Sequence, residues 1–193
     1  MAIPTQTTEL SAVNLMLASI GERPIVNLDD NQRADVMRAL STLNETNVLV
    51  QSRGWWFNEE HDLVHAPNDD GEYILTDDVI KVDPSDASVD NFVKRGKKLY
   101  NTTTWTTTGH STPLALDLVR LLPFDDLPET AKIYIARRAG VIYQTRSVGS
   151  PTLFEFTSRD AQEAYGTLQE EELEHVDTNL THSPGIFDAV WRR

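Results

Sequence analysis

The stretch His61-Asp62-Leu63-Val64-His65 places two histidines four residues apart. On a helix that spacing would bring both imidazoles to one face, where they could share a zinc ion. The surrounding pattern is that of a strand, an aspartate stands where zinc proteases carry glutamate, and no third ligand is indicated. Surface histidines beside a turn are the better reading. Asn68-Asp69-Asp70-Gly71, running on to Asp77, has part of a calcium-loop spacing, but Ala66 occupies the place of the first carboxylate. Hydrated turn carboxylates fit those residues better. A glycosidase needs two carboxyl groups at a defined separation, and 30 acidic residues supply many pairs without selecting one. A hydrolase of capsule or cell-wall glycan therefore stays as the alternative reading only. There is no Gly-x-Ser-x-Gly elbow, glycine-rich phosphate loop or dinucleotide fingerprint, and cysteine is absent, which removes thiolate catalysis and disulfides. No catalytic, cofactor-binding or metal-ligating residue is expected.

Charge points the same way. The net charge of −13 opposes attraction to nucleic acid or to an anionic membrane, since such binding relies on clustered Lys and Arg neutralising phosphates. The imbalance is local: between Glu59 and Asp90 there are eleven acidic residues against Lys81 alone, and Lys94-Arg95-Gly96-Lys97-Lys98 follows at once. No apolar run approaches the roughly 20 residues that span a bilayer. The Met1-Ala2-Ile3-Pro4-Thr5 start has neither the basic flank nor the apolar stretch of a signal peptide. A chain of 193 residues buries roughly 70% of its unfolded surface, so no disulfide or metal staple is needed.

Leu10, Val13, Leu17 and Ile20 recur at helical spacing, with Thr8 and Ser11 as caps and Gly21 as the stop. A second helix is predicted to start near Asp29 or Asp30 and to bury Val36, Leu40, Leu43, Asn47 and Val50 before Gly54. There the texture changes. Trp55-Trp56-Phe57 opens a region without helical period, and strands are predicted over 55–58, 62–65, 72–75, 79–82, 92–94, 98–101 and 114–121. The clearest hairpin turns at Gly96, and the threonine-rich run 102–108 around Trp105 reads as an exposed edge or loop. Helical texture returns with Pro128 as a first-turn residue and Ile133, Ala136, Ile142 and Tyr143 facing inward. Ser150-Pro151 opens a last helix through Phe154, Ala161, Ala164, Tyr165, Leu168 and Leu173, whose Glu170-Glu171-Glu172 end should fray against the negative helix terminus.

Helices bracketing a run of strands predict an α+β fold. The expected organisation is a helical bundle lobe from 1–54 and 123–176, an inserted antiparallel β domain over 55–122, and a C-terminal tail over 177–193. Phe187 and Trp191, ahead of Arg192-Arg193, make that tail a candidate docking segment, because aromatics and arginine dominate interface energetics.

Three stretches, Glu9-Leu10-Ser11-Ala12-Val13-Asn14, Leu17-Ala18-Ser19-Ile20-Gly21-Glu22 and Gln51-Ser52-Arg53-Gly54-Trp55 with Phe57-Asn58, resemble the tail tubular protein A family of adaptor or gatekeeper proteins in short-tailed bacteriophages (podoviruses). The likeness continues more thinly through Val93-Lys94-Arg95-Gly96, Leu127-Pro128-Glu129 and Leu168-Gln169-Glu170-Glu171-Glu172; the threonine-rich run and the residues after Asp177 depart from it. The resemblance implies a non-enzymatic structural virion protein. It implies a homo-oligomeric ring of about twelve copies joining the portal protein to the tail nozzle (tail tubular protein B), with DNA passing through transiently and without specific binding. It also implies a place in the virion tail, reached from the host cytoplasm during assembly. On that footing Glu59, Glu60, Asp69, Asp70, Asp77 and Asp78 are candidates to face the channel, and Lys94, Arg95, Lys97, Lys98, Phe187 and Trp191 are candidates for interfaces.

Overall fold

A computed structural model describes residues 6–28, 33–86 and 92–182, with side chains described up to 175. The order is α1 (Glu9–Ser19), α2 (Ala34–Gln51), β1 (Glu59–His65), β2 (Val79–Pro84), β3 (Phe92–Arg95), β4 (Lys98–Asn101), β5 (Leu114–Arg120), a short 3-10 turn at Phe124–Asp126, α3 (Glu129–Ser147) and α4 (Pro151–His182). Helices and antiparallel sheets occupy separate parts of the sequence, an α+β fold. The chain divides into two compact units, residues 1–50 with 123–193, and residues 51–122.

In the helical unit the ends of α1 are fixed by local chemistry. Thr8 caps the first turn and forms a reciprocal capping box with Ser11. At the other end Gly21 N–H bonds the Ala18 carbonyl (3.1 Å) and Glu22 N–H the Leu17 carbonyl (3.0 Å), a Schellman closure. Ala12, Val13, Met16 and Leu17 are buried, while Leu10 and Ile20 are half-buried. Helix α2 begins at Ala34 with Asp35 in its first turn, and Asp29 and Asp30 lie outside the described residues. It buries Val36, Leu43, Asn47 and Val50 as expected, with Leu40 only half-buried; Asn47 has a partner. Against α2, the Tyr143 hydroxyl of α3 donates to the Asp35 carbonyl (3.0 Å).

Pro128 stands one position earlier than expected, at the N-cap of α3, where its fixed φ of −55° leads into the helix. Ala136 and Tyr143 are buried as predicted, Ile133 and Ile142 half so. Ser150 caps α4, its Oγ accepting from Leu153 N–H at 3.5 Å, and α3 and α4 then lie antiparallel with Tyr134 against Tyr165 at 5.0 Å between ring centroids. Helix α4 runs unbroken through Glu170-Glu171-Glu172 to His182, contrary to the expected fraying. Those glutamates are not at the helix end: Leu168 is fully buried beside them and the Thr130 hydroxyl of α3 bonds Glu171.

The 51–122 unit contains a three-stranded sheet in the order β1-β5-β2 and a hairpin of β3 with β4, all antiparallel. Tyr73, Leu75, Val82, Phe92, Leu99 and Leu116 are among its core. Burying a side chain such as Leu99 or Leu116 contributes roughly 1.5–3 kcal/mol. The hairpin turns on Gly96-Lys97, with Arg95 opposite Lys98. Positive φ at Gly96 (62°) alone of the two is the signature of a II′ turn, whose twist suits the strands.

Two predicted strands do not form. Residues 72–75 give one isolated bridge, Ile74 with Lys98, before a turn at 77–78 leads away to β2. Residues 55–58 are a turn, with Asn58 and Glu59 N–H both on the Trp55 carbonyl (2.9 and 3.0 Å). A strand would send Trp56 to the face opposite Trp55 and Phe57. Instead all three rings touch: Trp55 is stacked with Phe57 at 6.4 Å, and Trp56 stands edge-on to both, at 6.5 and 5.0 Å. Gly54 (φ 79°) precedes this turn, and any Cβ there would fall 2.0 Å from Glu59 Oε1.

Candidate functional site

The two ends of the 51–122 unit are tied by amides. Gln51 Nε2 donates to the Leu122 carbonyl (2.9 Å) and Leu122 N–H donates to Gln51 Oε1 (2.8 Å), with Gln51 fully buried. Asn58 closes the aromatic turn: its Oδ1 accepts from Trp55 N–H (2.9 Å), and its Nδ2 donates to the carbonyls of Gln51 (3.0 Å) and Arg120 (2.7 Å). These contacts settle the start of β1 opposite the end of β5, and with it the placing of the acidic residues that follow.

Three of the six acidic candidates are answered by cations of the same unit. Arg120 clamps Glu60 (2.7 Å) and Asp78 (2.6 Å). The Thr76 hydroxyl and then Arg120 hold the Asp78 carboxyl below the usual carboxylate range, while the hydrogen bonds that Arg120 donates to Glu60 and then Asp78 raise its guanidinium. Asp77 pairs with Lys97 (2.6 Å). Glu59 lies against Gly54, with His61 at 3.7 Å. Asp69 and Asp70 are exposed on a loop, with no ion pair among the described residues.

The basic cluster is likewise turned inward on its own unit. Lys98 bonds Glu72 (2.7 Å), Lys94 reaches the Val79 carbonyl, and the Arg95 guanidinium lies 3.4 Å from the centroid of the Tyr100 ring. The acidic segment and the cationic turn are therefore partners of one another. Phe187 and Trp191 lie outside the described residues.

The motifs that suggested metals have other work. His65 Nε2 sits 2.7 Å from the Ile74 carbonyl, and His61 lies between Glu59 and Asp117. Asn68 Oδ1 accepts from Asp70 N–H (3.1 Å) and Glu72 N–H (2.8 Å), organising its loop as an Asx turn. Among the described residues no group of three His, Asp or Glu side chains is placed to hold a metal ion, and no helix is long and apolar enough to cross a membrane.

Three features escaped the sequence reading. Asp62 adopts φ 56° in a bulge of β1, held by Asp117, whose Oδ1 accepts from Asp62 N–H (3.0 Å) and Ser85 Oγ (2.6 Å). The Ser85 hydroxyl and then the Asp62 amide lower the Asp117 carboxyl. Trp105 stands 77% exposed at φ 63°, on a loop held by buried Asn101, whose Oδ1 accepts from Thr103 and Thr104 N–H. The threonine run signalled a loop there without signalling a left-handed tryptophan. Finally, Leu153, Phe154 and Phe156 on the first turns of α4 are exposed.

No curated protein matches the sequence. A family model described as tail tubular protein matches residues 10–178, spanning α1 through most of α4 and therefore both compact units. On that match the chain belongs to the tail tubular protein family, structural components of the tails of short-tailed bacteriophages.

Proposed function

We propose that this tail protein is the adaptor ring between the portal and the tail nozzle, forming part of the channel through which DNA is ejected. The observation that carries the reading is the family match over residues 10–178. Net charge supports it: each copy brings −13, and a wall of carboxylates repels phosphate within about 8 Å at physiological salt, so DNA slides without sticking. The pairings above narrow the lining. Glu60, Asp77 and Asp78 carry their own counter-charges, which leaves Asp69 and Asp70 as the carboxylates best suited to face DNA. The same pairings weaken Lys94, Lys97 and Lys98 as contacts to a neighbour and leave the aromatic tail as the stronger interface candidate.

Nothing favours the glycan hydrolase. Among the described residues the one carboxyl pushed upward, Glu9, owes it to burial and then to Asp125, and it sits in the first turn of α1 with its own N–H on the Asp125 carboxylate (3.0 Å). Negative-stain microscopy of the chain, alone and mixed with its portal, tests the ring. Closed rings of one size, coaxial with the portal, are the expected result; particles that stay monomeric in both preparations would sink the reading.

A further inference from the structure

An apolar ridge marks the closed end of the α3–α4 hairpin. Val148 is 53% exposed, Leu153 40%, Phe154 47% and Phe156 66%. A cluster of this kind on a chain so rich in charge is the type of surface that takes a partner. Leu153 and Phe156 are neighbours across one helical turn, with Phe154 flanking them. The exposed carboxylate of Glu155 stands among them and makes no ion pair among the described residues.

The chain contains a segment of matching chemistry. Residues 183–193 carry Ile186, Phe187, Val190 and Trp191 and end in Arg192-Arg193. That segment leaves α4 at the end opposite the ridge, since α4 runs from Pro151 to His182. At 1.5 Å per residue Phe156 lies about 39 Å from His182 along the helix. Fully extended chain covers at most about 3.6 Å per residue, which allows Phe187 a reach of about 18 Å and Trp191 about 32 Å. Phe187 therefore stops about 20 Å short of its own ridge, and both aromatics cannot lie on it together.

We infer that the 183–193 segment of one copy lies on the Leu153–Phe156 ridge of the next copy, with Phe187 and Trp191 against the exposed phenylalanines and the terminal arginines near Glu155. Ridge and segment belong to opposite ends of one helix, so the contact is head-to-tail, the kind that closes into a ring when the rotation per step allows. The inference rests on the ring reading and names a surface that holds the ring together.

The absence of cysteine makes the test direct. Phe156→Cys and Phe187→Cys chains are mixed, assembled as for microscopy and oxidised with copper phenanthroline, beside a control mixture of Val26→Cys with Phe187→Cys. Phe156 and Val26 are both exposed, at 66% and 96%, so neither change disturbs the fold, and circular dichroism checks this. Docking raises the local concentration of the pair far above that in solution, so cross-linking between chains should run at least about tenfold faster than in the control. Equal rates overturn the inference, as does a doubly substituted chain that forms only a bridge within itself. Rings seen by microscopy with equal cross-linking rates sink this contact alone, whereas faster cross-linking without rings supports the contact and sinks the ring.

Discussion

Asn58 shows how much one side chain decides in this molecule. It is buried and its amide meets three backbone groups of the 51–122 unit, on Trp55 in the aromatic turn, on Gln51 and on Arg120 of β5. A leucine of similar size would fill the space and leave those three groups without their partner. Each buried polar group left unpaired costs about 1–3 kcal/mol, so Asn58→Leu should lower the unfolding free energy by at least about 2 kcal/mol in urea titration. An unchanged midpoint would mean that water replaces the amide. The sequence announced this site only through its neighbours: the glycine and the three aromatics drew attention to it, but asparagine is as common in exposed turns, and nothing local shows that its partners include residue 120.

At the scale of elements, the clearest successes are those whose causes lie within four residues. The box of Thr8 with Ser11, the stop at Gly21, the hairpin turn at Gly96 and the Ser150 cap all form where the pattern put them. The strand predicted at 55–58 fails because β propensity measures how well a side chain fits a pleated, half-buried surface, and here the rings are satisfied by one another. The β1-β5-β2 sheet depends on charge. Arg120 at the end of β5 clamps Glu60 of β1 and Asp78 beside β2, and the Asp78 carboxyl titrates below its usual range. A depressed acid stabilises the fold at pH values above its unfolded pKa, and that contribution is lost as pH falls through the folded value. The melting temperature of the wild type should therefore exceed that of Asp78→Asn at pH 7, and the gap should begin to narrow below about pH 4, where the unfolded carboxyl takes its proton, and close only once the pH has passed below the lowered folded value. A gap that persists unchanged at pH 3 would show that the hydrogen-bond geometry matters and the charge does not.

For the whole molecule, the net charge of −13 is the quantity that a channel would use, and the structure shows that it is not evenly available. Much of the acidic excess around the sheet is met by Arg120, Lys97 and Lys98, while Asp69 and Asp70 are exposed with no ion pair among the described residues. Replacing both loop aspartates by lysine changes the charge by four per copy. If the chain forms the ring proposed above, assemblies carrying Asp69→Lys with Asp70→Lys should shift duplex DNA in a gel at low salt and release it as salt rises, whereas wild-type assemblies should leave DNA unshifted under both conditions. If the variant rings ignore DNA as well, the loop does not face the channel.

The sequence alone determined the α+β class, most of the helix ends and the hairpin, and the ordered motifs that place the chain in its family. These rest on capping residues, glycine conformations and hydrophobic period, all of which act over a few neighbouring positions. Tertiary structure decided the rest. Arg120 meets Glu60 across 60 positions and Lys97 meets Asp77 across 20, and such pairs form only when the sheet has set its register. The reason is physical: a charge run carries no sign of its partner until folding brings the partner within hydrogen-bonding reach, so the sequence could reveal the acidic segment but not which of its carboxylates remain free.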